Sequence, residues 1–124
     1  MENKKIKKEN SAVSFIRQVA AIAATECFGI VGISKKMPIL NRIIPLDAAE
    51  LSKGVEVTFV DTEDKTIGEL KDEVIIDVYV IMEFGLRLTS VAENLMDTIK
   101  YNVESQTDVK VKKINVHVNY VRVL

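Results

Sequence analysis

The chain has 124 residues, of which 48% are hydrophobic and 28% are charged, and its formal net charge at pH 7 is −1. This length and composition predict one soluble globular domain with a single core, and the near-zero charge argues against a general polyanion-binding protein. The apolar runs are far shorter than the roughly 18 residues that span a membrane, and we expect no signal peptide. Because its single cysteine, Cys27, makes no internal disulfide, we expect a cytoplasmic protein.

Residues 1–10 are a charged segment ahead of the first apolar pattern. Four lysines stand there against Glu2 and Glu9. Charge runs near a chain end usually stay in solvent, so we predict a flexible basic arm at 1–10, with at most a short strand near Ile6. Residues 11–124 are predicted to form one domain.

The first helix is predicted to begin at Asn10 or Ser11, because a short polar side chain there can bond a free backbone N–H group. Its inward side is a set of apolar residues at three- and four-residue spacing: Val13, Ile16, Ala20, Ala23 and Cys27. Residues 19–24 are apolar nearly all round, which predicts burial on more than one side. Gly29 is the predicted stop of this helix.

Residues 39–52 have no clear period. Their apolar residues are interrupted by Pro45, and Asp47 with Glu50 has the spacing of a capping box for a short helical turn. We interpret this segment as a loop with helical pieces. At this point it is open whether residues 39–46 cover the protein's own core or form a contact with another molecule.

Two strands are predicted next. Val55, Val57 and Phe59 alternate with polar residues, which is the period of a strand. Residues 61–72 are rich in acids and are predicted to top a long hairpin. Residues 74–84 are apolar on both alternating faces, as is typical of an interior strand.

A second helix is predicted to begin at a capping box, Ser90 with Glu93. Its inward stripe is formed by Val91, Leu95, Ile99 and Val103.

The last predicted strand, residues 109–121, alternates apolar and polar side chains. Val109 and Val111 share one phase, and Ile114, Val116, Val118 and Tyr120 share the other. The change of phase at Lys112-Lys113 predicts a bulge that brings both sets to one face. The order is helix, strand, strand, helix, strand, and the final strand–helix–strand unit predicts a parallel pair. We therefore predict an α+β fold with two helices packed on one face of a small mixed three-stranded sheet.

Side chains capable of catalysis are few and scattered. His117, on the polar side of the last strand with Asn115 and Asn119, is interpreted as a solvated or hydrogen-bonding surface residue, because no cysteine or second histidine accompanies it. Cys27, on the apolar stripe of the first helix, is interpreted as a buried structural thiol. The acidic residues 61–73 lack the order of a calcium loop. We predict no catalytic, cofactor-binding or metal-binding residues, and therefore no enzyme.

The stretch Gly29-Ile30-Val31-Gly32 matches the GXXG loop with which KH domains clamp nucleotides. The basic residue usual between those glycines is missing, and the Ile-Val pair suits a core, so we interpret the stretch as a helix exit. A KH-like RNA-binding module that uses the Gly29–Gly32 loop remains the alternative function. We expect no specific nucleic-acid partner.

Several stretches together resemble the alkaline shock protein family, the Gram-positive envelope stress response family. Ile114-Asn115-Val116-His117-Val118 is similar to the family's closing strand, and Lys53-Gly54-Val55-Glu56-Val57 is similar to an earlier strand. Asp77-Val78-Tyr79-Val80, followed by Glu83-Phe84-Gly85, is similar to the end of another strand. Residues 19–23 and 29–32 are similar to the first helix and its exit, and the order of all these stretches is that of the family.

The resemblance implies a non-enzymatic cytoplasmic protein of the cell-envelope and alkaline stress response that acts through protein–protein interaction. Some members of that family are held near the membrane by a membrane-protein partner and self-associate, so the resemblance implies that this chain could do the same. The resemblance supplies no catalytic residues. We expect no direct membrane insertion. Charge adds a prediction of head-to-tail self-association, because the last strand carries Lys110 and Lys112 while residues 61–73 carry six acids.

Overall fold

The computed structural model describes residues 2–37, 42–46, 50–60 and 72–123, with side chains for 11–35, 46, 50–60 and 72–123. The elements follow in the order α1 (Glu2–Thr25), β1 (Ile30–Met37), β2 (Arg42–Pro45), a 3-10 helix (Leu51–Gly54), β3 (Val55–Phe59), β4 (Asp72–Glu83), α2 (Leu88–Gln106) and β5 (Val109–Arg122). The predicted α+β class is confirmed.

Strand β4 is the centre of the sheet. β5 runs parallel to it along one edge for its whole length, with Asp72 opposite Val109 and Glu83 opposite Arg122. β3 and β1 therefore share the other edge of β4, and both are antiparallel to it. β2 is antiparallel to β1. The mixed sheet and the parallel last pair are confirmed, but the sheet has five strands, so the predicted count of three was wrong.

Strands β1 and β2 are the two that the sequence pattern missed. Gly32 interrupts the apolar residues at the start of β1, so the stretch does not alternate. The prediction of a loop with helical pieces was wrong for Arg42–Pro45, which is strand β2. β2 stands at the end of the strand order among the described residues, and such an edge strand tolerates Pro45, which has no N–H group. The predicted cap Asp47 lies outside the described residues.

Both helices begin earlier than predicted. α1 begins at Glu2, not at Asn10 or Ser11, because residues 2–10 contain no Gly or Pro and are rich in Lys and Glu, which favour helix. A strand near Ile6 was therefore wrong, while the flexibility of residues 1–10 stays a prediction. α2 begins at Leu88 with no side-chain cap bond, so the predicted capping box was wrong.

One hydrophobic core lies between the two helices and one face of the sheet. β4 contributes its even-numbered residues, which are fully buried: Val74, Ile76, Val78, Val80 and Met82. α2 contributes the predicted stripe of Val91, Leu95, Ile99 and Val103. α1 contributes Ile16 and a row of alanines, whose small side chains allow the helix to lie close to its neighbours. The predicted packing of both helices on one face is confirmed.

Strand β5 contains two irregularities in its pairing with β4. The first, between Val111 and Lys113, is the predicted bulge, and it brings Ile114 onto the buried face with Val111. The second, between Val118 and Tyr120, was not predicted. It turns Tyr120 to the opposite face, so the prediction that Tyr120 shares the phase of Val118 was wrong.

Candidate functional site

The face of the sheet turned away from the helices is largely polar, and we call it the open face. It is formed by the odd-numbered residues of β4 and their partners in β5. The pairs are Ile75 with Lys113, Asp77 with Asn115, Tyr79 with His117, Ile81 with Tyr120 and Glu83 with Arg122. Side chains alternate between the two faces of a strand, so each of these pairs stands side by side on the open face.

Asp77 holds the centre of the open face together. Its Oδ1 accepts a hydrogen bond from Asn115 Nδ2 at 3.0 Å and another from His117 Nε2 at 2.9 Å. A carboxylate oxygen only accepts, so the bond places a proton on Nε2 of the imidazole. The His117 ring is stacked on Tyr79, with centroids 4.5 Å apart and an angle of 15° between the planes. One carboxylate thus fixes two side chains of the neighbouring strand.

The phenol of Tyr79 lies in an environment that disfavours its ionised form. Burial raises the pKa of Tyr79 above its ordinary value, and the negative charges of Glu56 and Asp77 raise it further. Glu56 stands opposite Asp77 in the antiparallel pair of β3 and β4. The open face around Tyr79 is therefore a place where a further negative charge is unfavourable.

Asn119 connects the open face to strand β1. Its Nδ2 donates a hydrogen bond of 3.3 Å to Oγ of Ser34, which is fully buried. Because β4 lies between β5 and β1, this bond crosses the central strand. It gives the buried hydroxyl a partner, as a buried polar group requires.

The interpretation of His117 as a hydrogen-bonding surface residue agrees with the structure. It lies with Asn115 on the open face, half-buried, and its partner is Asp77. Sequence reasoning missed Asp77, although a single acid within the apolar residues 74–82 was a visible signal. A carboxylate bonded to an imidazole is two-thirds of a catalytic triad. Among the described residues, however, no hydroxyl or thiol is hydrogen-bonded to the ring.

The interpretation of Cys27 as a buried thiol is confirmed. Its Sγ lies 3.4 Å from the carbonyl oxygen of Ala23, one helical turn earlier, and the side chain is 7% exposed. A weak S–H donor that is satisfied by the backbone and enclosed by apolar groups is chemically inert.

The Gly29–Gly32 stretch leads from α1 into β1. Gly29 has φ +89°, and its carbonyl accepts a hydrogen bond from the N–H of Glu83. A Cβ at Gly29 would lie 2.9 Å from Cγ2 of Val91 on α2. The absence of a side chain at Gly29 therefore serves its backbone conformation and its packing against α2, as expected for a helix exit.

Residues 61–71 of the predicted acidic hairpin top, 61–72, lie outside the described residues, and its last residue, Asp72, begins strand β4. Across the described ranges, no group of three or more His, Cys, Asp or Glu side chains is arranged to hold a metal ion. Within the same part of the chain, no helix is both long enough and apolar enough to cross a membrane.

Three exposed apolar side chains lie at the end of the sheet where β4 and β5 finish, and we call them the apolar end. They are Phe28, Phe84 and Val123, with 75%, 65% and 68% of their surface exposed. Two backbone hydrogen bonds bring their segments together. Phe84 N–H donates to the carbonyl of Arg122, and Glu83 N–H donates to that of Gly29.

Comparison with known proteins places this chain in a family. The model of the alkaline shock protein family, described as having a cell envelope-related function, matches residues 1–123. The uncharacterized protein YloU of Bacillus subtilis is 33% identical over 109 residues, which cover 87% of this chain and 82% of YloU.

A second relative is the uncharacterized protein Spy1614 of Streptococcus pyogenes, 32% identical over 110 residues, which cover 88% of this chain and 83% of that protein. The uncharacterized protein YqhY of Bacillus subtilis is 25% identical over 125 residues, which cover 94% of this chain and 78% of YqhY. No solved structure matches the chain significantly. The resemblance seen in the sequence is thereby confirmed, and the chain belongs to the alkaline shock protein family, a family with a cell envelope-related function.

Proposed function

We propose that this chain is a non-enzymatic protein of the cell-envelope stress response that acts by binding another protein. In this proposal it works from the cytoplasm and is held near the membrane by a membrane-protein partner. The family assignment supports the connection to the envelope. The observation that carries the binding role is the apolar end.

Two largely exposed phenylalanines on neighbouring segments of the chain leave apolar surface in water. Burying a phenylalanine stabilises a structure by about 1.5–3 kcal/mol relative to leaving it in water, so Phe28 and Phe84 forgo that stabilisation in the free chain. Aromatic side chains are enriched among the residues that dominate binding energy at interfaces. Exposed apolar patches commonly mark such sites. The apolar end therefore fits a surface that a partner covers.

The open face supports a non-catalytic role. Asp77 is engaged by both Asn115 and His117, and Asn119 is engaged by Ser34. These bonds tie strands to one another and use the polar groups that a substrate would otherwise meet. A catalytic base, by contrast, needs to lie within hydrogen-bond reach of the proton it removes.

A photo-activatable phenylalanine analogue in place of Phe84 tests the binding role in living cells. The matched control is the same analogue in place of Tyr101, which is 73% exposed on α2 and lies outside the apolar end. We expect a discrete adduct with a membrane-fraction protein at position 84 and none at position 101.

A second variant makes that experiment specific to the apolar end. Phe28→Ser on the background of the analogue at position 84 should abolish the adduct, because Phe28 belongs to the same surface. Equal labelling at positions 84 and 101, or an adduct at 84 that survives Phe28→Ser, would contradict the proposal.

A further inference from the structure

The outer edge of β5 is not paired with any strand among the described residues. β5 has 14 residues and forms its ladder with β4 alone. A long edge of unpaired N–H and C=O groups is a template for pairing with another strand, and proteins usually protect such edges. The two halves of β5 differ in this protection.

The first part of the edge is protected. Glu104 of α2 extends to β5, where its Oε2 accepts a hydrogen bond of 2.9 Å from the N–H of Val111. Lys110, Lys112 and Lys113 are exposed there, and the bulge before Lys113 disturbs the regular ladder. Lysines and bulges are both devices that discourage strand pairing.

The part between the two bulges, Ile114 to Val118, has none of these devices, and we call it the free edge. It carries no charged residue, and its pairing with β4 is regular. Three of its five residues are β-branched and apolar, which suits a strand. Val118 is 39% exposed although it lies on the helix side of the sheet.

The hydrogen-bonding direction of the free edge follows from Val111. Its N–H points away from β4, toward Glu104, and its side chain is buried on the helix side. In a strand, side-chain direction and N–H direction alternate together. The other helix-side residues, Ile114, Val116 and Val118, therefore direct their N–H and C=O groups outward.

We propose that the free edge pairs antiparallel with the free edge of a second copy of this chain, about a two-fold axis at Val116. In this register Val116 lies opposite Val116 of the copy and Ile114 lies opposite Val118, so apolar residues meet on the helix side. Asn115 lies opposite His117 on the open face. Roughly six backbone hydrogen bonds form between the two strands.

A second copy fits this edge better than a flexible peptide does. The same edge of another molecule is already a strand, whereas a disordered segment must be ordered on binding, which costs conformational entropy. Two identical edges also satisfy each other in one closed, isologous contact.

This pairing differs from the head-to-tail contact suggested by charge. It rests on the proposed function, because it describes how an interacting protein would present two apolar ends.

Cysteine cross-linking tests the register. We expect Val116→Cys to form a disulfide-linked dimer on mild oxidation, because directly opposite residues have Cα atoms about 5.5 Å apart, within the range for a disulfide. Val118→Cys is the matched control, because it changes the same residue type on the same face of the same strand. In the proposed register, however, the two substituted positions lie four residues apart along the paired strands. Wild type controls for Cys27. Equal or faster cross-linking of Val118→Cys would overturn the proposal.

Sedimentation at rising protein concentration tests the pairing itself. The Val116 N–H points away from β4, so Val116→Pro leaves the fold's own ladder intact and removes two intermolecular bonds. We expect the dimer dissociation constant to rise at least about tenfold for Val116→Pro, and to change much less for Val116→Ala, which keeps the N–H. A monomeric wild type, or equal constants for the two variants, would overturn the pairing. A monomer that still yields the Phe84 adduct would leave the proposed function standing, so the two proposals fail separately.

Discussion

At the scale of single residues, Asp77, Tyr79 and His117 show how the open face is stabilised. Asp77 bonds the imidazole, and the imidazole is stacked on the phenol, so three side chains from two parallel strands are fixed in one arrangement. In this arrangement the pKa of Tyr79 is raised, mainly by burial and further by the negative charges of Glu56 and Asp77. The pKa shift makes stability depend on pH in a direction that can be measured.

We expect Tyr79→Phe to lessen the loss of stability at alkaline pH. The folded-state pKa of Tyr79 is raised, so the unfolded chain loses its proton first as pH rises. The resulting stabilisation is complete below about pH 10, the ordinary tyrosine pKa, and is lost above it. Urea unfolding at roughly pH 9 and pH 11 measures this difference. Tyr101→Phe, whose ring is largely exposed, is the control, and identical alkaline losses in Tyr79→Phe and wild type would refute the expectation.

Gly29 and Gly85 allow the effect of backbone conformation to be distinguished from the effect of close packing. Both have positive φ, +89° and +93°, but a Cβ at Gly29 would press on Val91 and Leu86, while a Cβ at Gly85 would have no neighbour within 4 Å. Gly85→Ala should cost about 1–2 kcal/mol for backbone conformation alone. Gly29→Ala should cost about 2–4 kcal/mol, because displacement of packed side chains is added. Chemical denaturation measures the loss in the free energy of unfolding for both variants. Equal losses would show that the side chains packed against Gly29 can move aside without an energetic cost.

At the scale of elements, β4 gives the sheet its two different sides. Its even-numbered residues from Val74 to Met82 are fully buried under the helices, and its odd-numbered residues form the open face with β5. Strand β4 has neighbours along both edges, which agrees with the interior position predicted from its two-sided apolar pattern.

Neighbouring isoleucines in β4 give a matched test of those two sides. Ile76→Ala should destabilise the fold by about 2–5 kcal/mol, because it opens a cavity in the core. Ile75→Ala removes the same atoms from a half-buried position on the open face and should cost about half as much or less. Urea unfolding measures the loss of stability in each variant. Similar losses for the two variants would mean that the open face is covered by another part of the chain.

At the scale of the whole molecule, charge is balanced, and no large basic surface is expected. The net charge of −1 is spread over 17 basic and 18 acidic residues. Even the open face mixes Asp77 and Glu83 with Lys113 and Arg122. Binding to nucleic acid draws most of its affinity from phosphate contacts, so this balance disfavours the KH-like alternative.

We therefore expect no RNA binding beyond a weak, salt-sensitive association through residues 1–10. Fluorescence anisotropy with single-stranded RNA at rising salt, on the full chain and on a chain without residues 1–10, measures it. Gly32→Asp is the second variant, because it would block a phosphate at the GXXG stretch. Micromolar binding that survives removal of residues 1–10 and disappears in Gly32→Asp would establish the RNA-binding alternative.

The sequence alone determined the elements in which buried residues recur at a regular, short spacing. The stripe of α2, the faces of β4, the bulge before Lys113 and the parallel last pair all followed from residues a few positions apart, since burial on one side repeats every two or every 3.6 residues. The family resemblance followed from the same stretches.

The tertiary structure alone decided what depends on distant partners. Pairing with β4 makes strands of Ile30–Met37 and, through β1, of Arg42–Pro45, although neither segment alternates clearly. The second bulge that turns Tyr120 outward is likewise a matter of register with β4. The bond from Asp77 to His117 joins residues 40 positions apart. No local pattern carries such information, because a partner across the sheet is chosen by the packing of the whole chain.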